Sequence, residues 1–209
     1  MARSGCARII LHMNPITVAF FGISGSGKGT QAELLVKFLK DRDPSRGALR
    51  TEMGDLARTF MKSGTALAKR AEDIMSHGGL LPSFIPIYLL TKRINESFQG
   101  GEHLILDGTF RKPFQSMVGD EIAQFYGRKE RHAIMLTLSK DEARRRLVAR
   151  GRHDDATEEA MSARFEWFNA DVIPAYNTLK DAGWIAHEIN GEQDIGAIHK
   201  QILAELKLA

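Results

Sequence analysis

Ten consecutive residues constrain this chain more than any others: Gly22-Ile23-Ser24-Gly25-Ser26-Gly27-Lys28-Gly29-Thr30-Gln31. Before them runs Ile16-Thr17-Val18-Ala19-Phe20-Phe21, a β-branched and aromatic run of strand length. After them, Leu34, Leu35, Phe38 and Leu39 recur at helical spacing. Strand, glycine-rich turn and helix together let successive backbone N–H groups converge on a phosphate at a helix N-terminus. The spacing from Gly22 to Gly27-Lys28 fits a phosphate-binding P-loop, with Lys28 reaching the outer phosphates. Gly29 stands where that pattern asks for Ser or Thr, and the hydroxyl comes one residue later, at Thr30. The alternative is a glycine-rich turn with an accidental lysine, but strand and helix flank it on the correct sides.

Apolar strands and striped helices alternate through the rest, which predicts βαβ units around a parallel sheet. Ala48 to Thr51, His103 to Asp107, Ala133 to Leu138 and Trp184 to Ile189 read as the further strands. Helices are expected up to about Lys62, over Thr65 to His77, from Pro82 or Ser83 to Phe98, and over Pro113 to Tyr126. Ser139-Lys140-Asp141-Glu142 reads as a capping box that opens a helix to Arg150. Met161, Phe165, Phe168, Val172 and Leu179 stripe a long helix that Pro174 should kink or divide. Ile195, Ile198, Ile202 and Leu206 stripe the last one. The run from Leu80 to Leu90, broken by Pro82 and Pro86, reads as a buried helix start. The whole is one doubly wound α/β domain with a five-stranded parallel sheet over residues 13–209, and residues 1–12 are a loose leader.

Composition narrows the function. A net charge of +3, left by 29 basic and 26 acidic residues, is too small to argue for nucleic acid and suits an anionic substrate equally well. No stretch is long and apolar enough to span a bilayer, so no membrane is expected. The lone Cys6 rules out a disulfide framework and a cysteine zinc site, which makes a reducing cytoplasm the simplest compartment.

Asp107-Gly108 ends a buried strand where a P-loop fold usually carries a second acidic residue, so Asp107 is a candidate to hold a magnesium ion through water. A turn or cap residue is the alternative there. Arg146 and Arg150 share a helix face, Arg152 follows, and Arg164 lies one helix on. Most arginine clusters are solvated, as Arg144 and Arg145 are expected to be, but this one adjoins a polar break at 151–156 that could close over the P-loop.

At these residues the chain resembles the adenylate kinase-like nucleoside monophosphate kinases, in their short-lid form. The resemblance runs from Ile16 to Leu206 through GISGSGKGTQ, EMGDLAR, LILDGTFRKPFQ, RLVARGRHDD and the RF that opens at Arg164. It implies a helical monophosphate-binding insert at 52–82 and a lid at 150–157. It makes Gly22, Ser24, Gly25, Ser26, Gly27, Lys28, Gly29 and Thr30 the ATP phosphate cradle, with Arg146 and Gly191 beside the ATP base. Met53, Arg58, Arg111 and Gln115 fall at the monophosphate, Gln115 matching the residue that meets an adenine edge. Lys28, Arg111, Arg150, Arg152 and Arg164 match the groups gathered on the transferred phosphoryl. The implied reaction uses ATP with Mg²⁺ and no zinc, AMP is the favoured acceptor, and a monomer is expected. UMP/CMP kinase is the near alternative, and a non-catalytic nucleotide-binding module the alternative from another class. Three departures stand out: Met53 replaces a usual threonine, Thr109-Phe110 replaces a usual Phe-Pro before Arg111, and the lid is too short for an extra β insert.

Overall fold

A computed structural model of the chain describes residues 14–151 and 157–209. The leader expected at 1–12 and most of the expected lid, with Arg152, lie outside the described residues. Strand β1 (Ile16–Gly22) leads through the glycine-rich turn into α1 (Lys28–Arg42) and β2 (Ala48–Glu52). Helices α2 (Met53–Met61), α3 (Ala66–Ser76) and α4 (Phe84–Ser97) follow before β3 (His103–Asp107). Then come α5 (Pro113–Phe125), β4 (Glu130–Thr137), α6 (Lys140–Arg150), α7 (Glu158–Trp167), α8 (Ile173–Asp181), β5 (Ile185–Asn190) and α9 (Ile195–Glu205). Among the described residues the five strands form one parallel sheet in the order β2-β3-β1-β4-β5, as the alternation of elements requires.

Alternate residues of the central strand feed the two faces. Ala19 and Phe21 pack with α2 to α5 and α8, whereas Val18 and Phe20 pack with Leu35 and Leu39 of α1 and with Ile198 and Ile202 of α9. A strand covered on both sides is largely apolar, and all seven residues of β1 are buried, Thr17 with its hydroxyl accepting from Arg128 at 2.9 Å.

Three local expectations need correction. Ser139 makes no side-chain cap: Glu142 is held by Arg145 and Arg146, and the Ser139 N–H donates instead to Glu192 at 3.0 Å. Nearby guanidiniums outcompete a backbone amide for one carboxylate. The greasy run at Leu80 to Leu90 is only half inward, since Ile85 and Leu89 enter the core while Phe84 and Tyr88 face out. Ile195 is likewise exposed, outside the buried stripe of α9. Pro174 does divide its helix: a π-helical turn over Phe168–Val172 separates α7 from α8, the wider turn absorbing the missing proline N–H. No helix among the described residues is long and apolar enough to cross a membrane.

Two buried histidines are expected to weaken the fold in acid. His103 Nδ1 accepts the Ile16 N–H at 3.1 Å, and His132 Nδ1 meets His187 Nε2 at 3.1 Å. Burial, with Arg46 and Arg128 near His103 and with His187 and Lys207 near His132, holds each ring down to about 4. Unfolded rings take a proton near the ordinary value of about 6.5, so between these values the unfolded chain binds more protons. Stability is therefore complete at neutral pH and falls as the pH drops from about 6.5 toward 4. From pH 7 to pH 5 the pair is expected to lose about 4 kcal/mol. Urea midpoints that coincide at the two pH values would contradict this.

Candidate functional site

The site occupies the carboxyl ends of β1, β3 and β4, where the crossovers turn away to either side of the central strand. Gly25 and Gly27 both adopt φ of 89°, a left-handed conformation that costs glycine nothing, and the chain enters α1 directly at Lys28. The Lys28 ammonium bends back into this loop and donates to Gly22 O at 2.8 Å, Ile23 O at 3.0 Å and Ser26 Oγ at 3.4 Å. Burial pulls its pKa down to about 8; Asp107 opposes the shift, while Arg111, Arg150 and Arg164 reinforce it. The loop thus sits in a surplus of positive charge that a polyanion would relieve.

A cleft of about 970 Å³ opens over the loop, at the upper end of ordinary ligand pockets. It is lined by Ser24 to Thr30, by Arg58 of α2, by Arg111, by Arg146 and Arg150 of α6 and by Arg164 of α7. Arg164, on α7 and largely buried, donates to Ser24 Oγ at 3.4 Å. Arg146 donates to Glu142 at 2.6 Å and to Gly191 O at 2.9 Å, so the arginine and the glycine expected together at the ATP base are in contact. Thr30 is exposed in the first turn of α1.

Asp107 is buried at the end of β3. Its Oδ2 accepts from Arg50 Nη2 at 2.6 Å, and a Cβ on Gly29 would lie 3.3 Å from that nitrogen and 3.5 Å from that oxygen. The bare glycine where the general pattern asks for a hydroxyl residue therefore leaves room for the pair. Among the described residues no three or more His, Cys, Asp or Glu side chains gather as a metal cage. A single carboxylate beside the phosphate loop fits a magnesium ion that keeps its own water shell.

Arg58 is paired with Glu52 at 3.3 Å and with Asp55. Gln115 is buried: its Oε1 accepts the Arg111 N–H at 2.8 Å and its Nε2 donates to Ser83 Oγ at 3.3 Å. The adjacent pocket, lined by Met53, Met75, Pro86 and Gln115, holds only about 20 Å³. That is space for about one water. Phe110, in place of the proline usual in the resembled family, is buried with its ring on Gly119 of α5, where a Cβ would come within 2.1 Å of it. Thus Thr109-Phe110 anchors the Arg111 loop by packing on a helix.

Three cleft residues escaped sequence reasoning. Arg50 and Glu52 alternate along β2 and form a charge chain, Asp107–Arg50–Glu52–Arg58, with Arg50 to Glu52 at 3.0 Å. Burial, then Asp107 and Asp55, raise the Glu52 carboxyl above its usual range, against the pull of Arg50. The third is Trp167, whose ring lies 5.5 Å from the Arg111 guanidinium carbon. Arg50 had a weak signal, its two-residue spacing from Glu52 on one strand face; Trp167 looked like one more apolar helix residue.

The sequence model of the family described as adenylate kinase matches residues 20–183. An adenylate kinase of Synechococcus sp. (strain RCC307) is 32% identical over 187 residues, which is 90% of this chain and 96% of that protein. Adenylate kinase 1 of Nostoc sp. (strain PCC 7120) is 31% identical over the same shares. An adenylate kinase of Phocaeicola vulgatus is 28% identical over 92% of this chain and 98% of its own length.

Proposed function

The chain belongs to the adenylate kinase family, and on that ground we propose that it is an ATP-dependent nucleoside monophosphate kinase that converts ATP and AMP reversibly into two ADP. One observation carries the reading to chemistry: the phosphate loop with Lys28 and the arginines Arg58, Arg111, Arg146, Arg150 and Arg164 line a single cleft. Two polyanions repel, and this set of fixed cations is suited to hold them end to end. An oxygen of the acceptor phosphate attacks the γ-phosphorus of ATP, the bond to the bridging oxygen breaks, and ADP leaves with that electron pair. Such a loose transition state asks for alignment and positive charge rather than a protein nucleophile.

In this reading Gly22 to Thr30 cradle the ATP phosphates, and Arg146 with Gly191 flank the ATP base. Arg58 and Arg111 take the acceptor phosphate, with Gln115 and Met53 at its base. Arg111, Arg150, Arg152 and Arg164 converge with Lys28 on the transferred group, their planar forks suited to its equatorial oxygens. Magnesium, held by Asp107 through water, would neutralise phosphate charge when bound with ATP. Residues 52–82 act as the acceptor-binding insert and 150–157 as a short lid that excludes competing water. The reading includes a cytoplasmic monomer, for which the single cysteine and the self-contained sheet are the support.

The test is turnover of Mg-ATP with AMP, UMP, CMP or GMP and with no acceptor, following ADP. Rapid turnover confined to AMP is expected. Pyrimidine turnover would transfer the assignment to UMP/CMP kinase, which the committed Gln115 amide and buried Met53 make the competing case. Binding without turnover on any acceptor would reduce the chain to a nucleotide-binding module.

A further inference from the structure

Asp107 and Glu52 stand side by side at the carboxyl ends of β3 and β2, partners in the register of the two strands. Two carboxylates so placed repel, and the cation between them is Arg50, two residues before Glu52 on the same strand face. Both of its bonds leave from one nitrogen: Nη2 donates to Asp107 Oδ2 at 2.6 Å and to Glu52 Oε2 at 3.0 Å. Its Nε is buried and has no hydrogen-bond partner among the described residues. A guanidinium held through one nitrogen can pivot, whereas a two-pronged grip on one carboxylate would fix it. The other oxygen of Glu52 accepts from Arg58 Nη2 at 3.3 Å. Four charges thus alternate in sign from Asp107, beside Gly29 of the phosphate loop, to Arg58 on α2, and all four line the same cleft.

Each inner member of such a chain divides its attraction between two neighbours, so a charge drawn off at one end is felt at the other. Asp107 turned to the water shell of a magnesium ion holds Arg50 less strongly. Arg50 then leans toward Glu52, and Glu52, better neutralised, competes less for Arg58 against an incoming phosphate. We infer that Arg50 is a positioning residue that couples the two substrate sites, its guanidinium shared between Asp107 on the ATP side and Glu52 on the acceptor side, so that Mg-ATP tightens the binding of the monophosphate. By linkage the monophosphate tightens Mg-ATP by the same factor. This inference rests on the kinase reading above.

The test is the affinity for AMP by isothermal titration calorimetry, with and without the β,γ-imido analogue of ATP and magnesium. Three proteins are compared: the parent, Arg50→Met, which keeps much of the side-chain length and loses the charge, and Glu52→Gln, which loses the charge that holds Arg58. In the parent the analogue is expected to tighten AMP by about fivefold or more, as coupled sites usually do. Either substitution cuts the chain, so this factor should fall to within about twofold of unity in both variants. Their effects on AMP alone should have opposite signs. Arg50→Met leaves Glu52 to hold Arg58 harder and should weaken AMP about threefold, whereas Glu52→Gln removes a competitor of the phosphate and should tighten it by about as much.

A coupling factor unchanged in either variant overturns the inference. Arg50 would then be one more cation of the cleft, its loss weakening AMP equally with and without the analogue. A parent whose AMP affinity the analogue moves by less than twofold overturns it too. Should Arg50→Met fold poorly with two carboxylates left face to face, Glu52→Gln, which relieves that repulsion, decides alone. Turnover is followed beside the titrations: a parent that couples the two ligands yet transfers no phosphoryl group sinks the kinase reading and leaves the coupling standing.

Discussion

Lys28→Met is expected to lower kcat with Mg-ATP and AMP by at least about 100-fold, the loss typical of one transition-state charge contact. Methionine has nearly the reach of lysine but no charge and no N–H, so the developing negative charge loses a cation and the Gly22 and Ile23 carbonyls lose their donor. The same residue predicts a pH profile. With Lys28 held down to about 8 in the free protein, kcat/KM for ATP should fall as the pH rises past that value, because the uncharged amine no longer draws the phosphates. Bound phosphates favour the charged form, so kcat should fall only at higher pH. A loss under threefold in Lys28→Met, or kcat/KM level to pH 9, is incompatible with the role.

Arg164→Ala is expected to cost about 10³ in kcat, the lower end for an arginine acting on a transferring phosphoryl group. Arg164 is largely buried beside the phosphate loop, where a charge interacts more strongly than in water. Arg164→Lys should recover only about tenfold of that loss, since an ammonium restores the charge but not the planar fork. The KM for ATP should stay within about threefold in both variants, because the contact strengthens as the group transfers. Stopped-flow or coupled ADP assays separate these values; a kcat reduced less than tenfold by Arg164→Ala would remove this arginine from the transfer step.

Much of the architecture was legible because its causes are local. A phosphate loop needs glycines at set spacings after a strand, and Gly22, Gly25 and Gly27 occupy them on the strand–helix junction observed. Strands covered on both faces are largely apolar, so β1 and the Ala133 to Leu136 run of β4 announced themselves, and Pro174 marked a helix break that the π-helical turn confirms. Failures came where one group had several suitors. Glu142 suited a capping box by spacing, yet Arg145 and Arg146 were equally near and charged.

What the order of residues settled by itself was the winding of strands and helices and the presence of an anion-binding loop, because both depend on backbone conformation and on neighbours within a few positions. Folding alone decided which side chains would share that cleft. Arg50 meets Asp107 across 57 positions of chain and Trp167 meets Gly78 across 89, contacts that no local periodicity encodes. They exist because parallel strands bring distant segments to one edge of the sheet, where burial and charge then select the partners.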